Sequence, residues 1–157
     1  MLNSQFLIFN LMKKFGVVGL LTSILIMLLM YTGVSKLADF DHFKRSIHLQ
    51  HFPLWLEHLS TFALPVSEIL VAVLMVFERT RFTGLVMSLG MLTIFTGYIV
   101  AIMLHVLNKT PCPCGGAIAT LTWPQHLCLN LLFMAINGIA ILLNHHKITR
   151  AKSLDAQ

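Results

Sequence analysis

The sequence predicts an all-α integral membrane protein, a four-helix bundle with both termini cytoplasmic. Three observations carry that expectation. The chain has 157 residues, 57% of them hydrophobic and only 11% charged, whereas a soluble domain carries about 25% charge. Its mean hydropathy is +0.81. Four long apolar runs approach the ~20 residues that a spanning helix requires. Because the runs are continuous and do not alternate, they exclude a membrane β-barrel. The apolar content excludes disorder. Three cysteines are too few for a disulfide-rich secreted scaffold. No basic stripe with interleaved aromatics is present, so no nucleic-acid partner is expected.

The first span covers residues 15–33 and is uncharged. Lys13 and Lys14 precede it, as in a signal peptide, but the run is longer than an h-region and no small-x-small cleavage site follows. It is read as a retained helix. Residues 1–12 are largely apolar and are expected along the membrane surface. Residues 34–58 form the outer loop. There Phe40, Phe43 and Ile47 recur at helical spacing, Pro53 ends the pattern, and Asp39 or Asp41 supplies a cap. A short amphipathic helix on the outer surface is expected. His42, His48, His51 and His58 share this loop. They read as solvated interfacial histidines and not as a metal or proton-sensing cluster, because no tight ligand motif with a carboxylate is evident.

The second span is 59–77 and holds one charge, Glu68. The third, 82–107, is uncharged and long enough to tilt or overhang the bilayer. The fourth is 124–143, followed by a cytoplasmic tail over 144–157. The whole chain, 1–157, reads as one domain without internal repeats.

Orientation follows the basic residues. Lys13, Lys14, Arg79, Arg81, Lys147, Arg150 and Lys152 fall on the side of the termini, close to span ends. Lys36, Lys44, Arg45 and Lys109 are spread over the two loops of the other face. Trp55 and Trp123 fall on that other face too, at span ends where interfacial aromatics sit.

The stretch Thr110-Pro111-Cys112-Pro113-Cys114-Gly115-Gly116 lies between spans three and four, on the expected outer face. Two cysteines at i and i+2 in an oxidising compartment tend to pair. A bridge between them closes a very small ring and stabilises little by loop closure. Strained disulfides are the labile or catalytic ones, which favours redox work over stapling. Two other readings stay open. Cys112, Cys114, His126 and His105 can form a copper or zinc site, or the segment can be an inert turn. No metal is assigned.

His126, Asn130 and Asn137 share one face of span four at about 100° per residue. His126 can shuttle a proton or stabilise a thiolate. Asn130 can hydrogen-bond a quinone carbonyl, and Asn137 reads as helix-packing glue. Cys128 lies on another face and reads as a small hydrophobe, with a resolving thiol as its second reading. Glu68 either pairs with Lys36 or carries a proton during quinone reduction. His105 ends span three as a second candidate for thiolate support. The Gly16–Gly19 pair and the Thr93, Thr96, Gly97, Tyr98 patch read as packing.

The residues resemble a known family. Gly33-Val-Ser-Lys36-Leu37 and Pro65-x-x-Glu68 resemble signatures of the DoxX-like membrane proteins. Cys112-Pro-Cys114-Gly-Gly, followed by Leu121-Thr-Trp123-x-x-His126 and Asn130, resembles the branch of methylamine utilisation protein MauE. The likeness covers about residues 15–145. It implies a four-helix, multi-pass inner-membrane protein of periplasmic redox chemistry, with the cysteine loop on the periplasmic side. It further implies disulfide exchange through Cys112 and Cys114 with a thioredoxin-like partner, in maturation of a methylamine dehydrogenase-type client. A membrane quinone is the candidate cofactor. The competing expectation is a non-catalytic assembly factor or membrane anchor for a redox enzyme; a soft-metal chaperone is the third.

Overall fold

The computed structural model describes residues 2–49, 53–104 and 122–155, with side chains over 16–49, 53–104, 122 and 124–146. Five helices follow in order: α1 (Leu2–Ala38), α2 (Phe40–His48), α3 (Leu54–Val76), α4 (Arg81–Met103) and α5 (Trp123–Asp155). No strand occurs among the described residues. Four stretches are long and apolar enough to cross a membrane: Gly16–Ala38, Leu54–Val76, Arg81–Met103 and Pro124–His146. Around the bundle the order is α1, α3, α4, α5, with α2 laid against α3.

Several helices run past their expected ends. The chain from Leu2 to Ala38 is one helix, so the amino-terminal segment expected along the membrane surface continues directly into the first span. Residues 34–38, read as loop, also belong to α1. Within this extension the Ser35 hydroxyl donates to the Thr32 carbonyl at 3.0 Å. The final stretch, read as a tail, continues α5 to Asp155.

Asp39 breaks α1 from α2. It leaves helical geometry (φ −121°, ψ 61°), and its side chain accepts from the His42 N–H at 3.3 Å. This is an N-cap, and Asp39 is among the residue types that favour it. The amphipathic pattern of α2 is real, but its apolar face does not rest on lipid. Phe43 and Ile47 are buried against Leu64 of α3.

Pro53 starts α3 by accepting from the N–H groups of Leu56 and Glu57. Pro65 sits inside α3, buried. It cannot donate to the carbonyl one turn back. A short turn over residues 77–80 then reverses the chain. Thr80 Oγ1 donates to the Leu74 carbonyl (2.7 Å) and Arg81 Nε to the Met75 carbonyl (3.3 Å). These two bonds satisfy carbonyls that the end of α3 would otherwise leave open. Gly84 makes the hairpin tight: a Cβ there would lie 2.6 Å from Met75 Cγ and 3.0 Å from Met75 N.

The start of α5 carries half of a capping box, since Gln125 Oε1 accepts from the Thr122 N–H at 2.9 Å. Pro124 lies in the first turn, where its missing N–H costs nothing.

The dry core combines Leu25 and Leu29 of α1, Val71, Ala72 and Met75 of α3, Leu85 of α4 and Ala140 of α5. It lies toward the α3–α4 turn. Hydroxyls within the spans are satisfied locally. Thr22 donates to the Val18 carbonyl, Ser23 to Gly19, Ser67 to Leu64 and Thr93 to Leu89. Such back-bonding is what hydrocarbon demands of a polar group. Leu20, Met27, Phe62, Ile94 and Leu142 are exposed and present their apolar side chains to the bilayer.

Close approach at two glycines is therefore a packing requirement. Gly33→Ala brings a Cβ within 2.9 Å of Ile69 Cγ1 and 3.3 Å of the Pro65 carbonyl oxygen, and Gly84→Ala brings one onto Met75. Each is expected to cost about 1–3 kcal/mol, as overpacking does. Gly90→Ala meets nothing within 4 Å and should raise stability by up to about 1 kcal/mol. Thermal unfolding of the three variants in detergent micelles checks this.

Candidate functional site: a buried ion pair and the polar half of the bundle

Lys36 near the end of α1 meets Glu68 in α3. The ammonium Nζ donates to Glu68 Oε1 in a buried ion pair. Both residues are almost fully buried, at 4% and 2% exposure. Gly33 and Pro65 explain how they meet. Gly33 has no side chain, so α1 closes onto the Pro65–Ile69 stretch of α3. One turn later Lys36 reaches across to Glu68. The four residues read from the sequence as two separate signatures form one contact.

Aromatic rings complete the surroundings of the cation. The Phe43 ring of α2 lies 5.9 Å from Lys36 Nζ and the Phe95 ring of α4 lies 5.8 Å away. Both distances are within cation–π range. The pair thus draws in α1, α2, α3 and α4.

Of the two readings of Glu68, its geometry supports pairing. A lone Asp, Lys or Arg at the centre of a spanning helix costs about 2.5–3.5 kcal/mol on insertion scales. Mutual pairing offsets that cost for both helices at once.

A second polar contact joins α4 to α5. Asn137 is fully buried, at 0% exposure. With its amide oriented to satisfy both ends, Nδ2 donates to the Leu85 carbonyl (3.2 Å) and Oδ1 accepts from the Ser88 hydroxyl (3.0 Å). Asn137 is helix glue, as its residue type and face suggested. Thr96 donates to the Leu92 carbonyl at 2.7 Å, and its Oγ1 also lies 3.4 Å from Met134 Sδ of α5.

A third contact was not visible in the sequence. His48 Nδ1, at the end of α2, lies 3.0 and 3.1 Å from the two carboxylate oxygens of Glu57. The histidine side chain is largely exposed and the carboxylate is nearly buried. No periodic pattern links these positions, because they lie on different helices. The only hint was an acidic residue in the first turn of a spanning helix.

His126 and Asn130 are half-buried on α5, on the half of the bundle away from the dry core. The His126 N–H donates to the Thr122 carbonyl at 3.0 Å. Cys128 is a free, exposed cysteine. Cys112, Cys114 and His105 lie outside the described residues. Their segment leaves α4 at Leu104 and re-enters at Thr122, at the end of the bundle where α2 finishes and α3 begins. Among the described residues no three His, Cys, Asp or Glu side chains are grouped to hold a metal ion.

Four apolar spans around a buried lysine–glutamate pair define a multi-pass helical membrane protein in contact with the lipid bilayer. A family model described as methylamine utilisation protein MauE matches residues 12–143, and the chain belongs to that family. No curated protein and no solved structure matches it.

Removing one partner of the pair leaves a buried, unpaired group. Lys36→Met alone is expected to destabilise the protein by about 3–5 kcal/mol, while Lys36→Met with Glu68→Leu recovers most of the loss. Chemical denaturation in mixed micelles measures both. For Asn137→Leu and Ser88→Ala the coupling in a double-mutant cycle should be about 0.6 kcal/mol, the usual size of an interhelical hydrogen bond in a membrane.

Proposed function

We propose that this protein is a thiol–disulfide relay of the inner membrane. Both termini face the cytoplasm, and the Cys112–Cys114 loop faces the periplasm. The observation that carries the reading is the Cys112-Pro113-Cys114 sequence in the connection between α4 and α5. That connection joins the end of the bundle where α5 begins, with His126 in its first turn, and where the His48–Glu57 pair closes α2 onto α3. Membership of the MauE family supports it.

In this relay a thiolate of a thioredoxin-like partner attacks one sulfur of the Cys112–Cys114 disulfide. That S–S bond breaks and an intermolecular one forms. The partner's second thiolate then displaces the mixed disulfide. The partner leaves oxidised, and Cys112 and Cys114 remain as thiols. A membrane quinone that accepts the two electrons and two protons becomes a quinol and restores the disulfide. The reverse sequence, with the same bonds, runs the relay as a reductase. His126 supports the thiolate or passes its proton, Asn130 offers an amide to the quinone carbonyl, and Glu68 is the carboxylate available to a proton inside the bundle. The client is a periplasmic protein, of methylamine dehydrogenase type in the family.

The scaffold reading has its own support. Lys36, Asn137, Ser88 and one carboxylate oxygen of Glu68 are engaged between helices, as in a protein whose work is to anchor or assemble a redox enzyme.

Thiol trapping in cells separates the two. The relay requires Cys112 and Cys114 to be recovered partly as a disulfide, Cys114→Ser to accumulate a mixed disulfide with a periplasmic protein, and the double serine variant to abolish client maturation. Full maturation with both cysteines replaced would leave only the scaffold.

A further inference from the structure

We propose that the end of the bundle where α2 finishes and α3 begins holds the headgroup of an anionic phospholipid. A concave site of about 350 Å³ lies there, lined by Lys44, Arg45, His48, Leu49 and Glu57. This is within the size range of small-ligand sites, roughly 300–1,000 Å³. Neither Lys36 nor Glu68 lines it.

The charges around it are uneven. Among the described residues of the lining Glu57 is the one carboxylate, and His48 engages both of its oxygens. Lys44 and Arg45 form no ion pair among the described residues. Asp41, one turn earlier on α2, is exposed and pairs with neither within salt-bridge distance. The wall of the site is almost entirely apolar, and the cations set the sign of its surroundings, where a phosphate suits them.

An apolar track adjoins the site and selects an amphiphile over a soluble anion. Trp55, Leu59 and Phe62 fall at i, i+4 and i+7 on α3, exposed by 68%, 57% and 61%. They form one stripe running down the helix. At its inner end the Phe62 ring packs at a 42° tilt against Phe40 of α2, with centroids 5.4 Å apart, so the stripe flanks the helix that carries Lys44 and Arg45. Trp55 at its head is the residue type that anchors at the headgroup level. A negative headgroup on the cations and an acyl chain along Trp55, Leu59 and Phe62 use both features at once. A bound lipid would hold α2 in place, and α2 carries the Phe43 ring that covers Lys36.

The test uses the full chain in micelles of an uncharged detergent, with phosphatidylglycerol and phosphatidylcholine of equal chain length in competition, read by native mass spectrometry. The wild type should retain phosphatidylglycerol preferentially. Lys44→Gln with Arg45→Gln should lower that preference at least about fivefold, and Lys44→Arg with Arg45→Lys should keep it. An unchanged preference in the glutamine variant overturns the proposal. Displacement of the lipid by equimolar glycerol 3-phosphate overturns it too, since the site would then read a free phosphate. A second readout leaves the basic residues unaltered. In a Trp123→Phe background, brominated phosphatidylglycerol should quench Trp55 more strongly than brominated phosphatidylcholine, and equal quenching contradicts the assignment.

Discussion

One lysine and one carboxylate, paired inside hydrocarbon, constrain the rest of this bundle. Lys36 and Glu68 come from helices separated by α2 in the chain, and neither tolerates the bilayer interior alone. Their pairing sets the register of α1 against α3. It requires Gly33 to be small, because any side chain there meets Ile69 and Pro65 before Lys36 can reach. It also gives Phe43 and Phe95 a cation to cover. The net stabilisation from such a pair is modest, since desolvation consumes most of the attraction. What it supplies is specificity: other registers of α1 on α3 leave two unpaired charges in lipid.

The bundle divides into two halves of different character. Near the α3–α4 turn an apolar core packs between helices joined by a hairpin tied at Thr80 and Arg81, and the Asn137–Ser88 contact adjoins it at the Leu85 carbonyl. Away from it the interior turns polar, through the Lys36–Glu68 pair to the His48–Glu57 contact at the rim.

Much of this was legible from residue order. Four runs of apolar residues announced the spans, because hydrocarbon thickness dictates their length. An Asp39 or Asp41 cap, the amphipathic α2, Lys36 pairing as one of two readings of Glu68, and the glue role of Asn137 followed from residue type and helical phase. Helix ends were less legible. Nothing local stops α1 at Gly33, because the glycine serves packing and not termination. The burial of Phe43 and Ile47 was missed because periodicity shows that a face is apolar without showing whether lipid or another helix covers it. The His48–Glu57 contact was missed for a related reason: it joins two helices across a connection, and no spacing rule spans that gap.

The most direct measurement is the infrared difference spectrum between the wild type and Glu68→Gln in bilayers near neutral pH. An ionised Glu68, held so by Lys36, contributes a carboxylate stretch that disappears on substitution, and in Lys36→Met that stretch should give way to the carbonyl band of a protonated acid. A protonated carbonyl band for Glu68 in the wild type, unaffected by removal of Lys36, would contradict the ion pair and with it the register of α1 on α3.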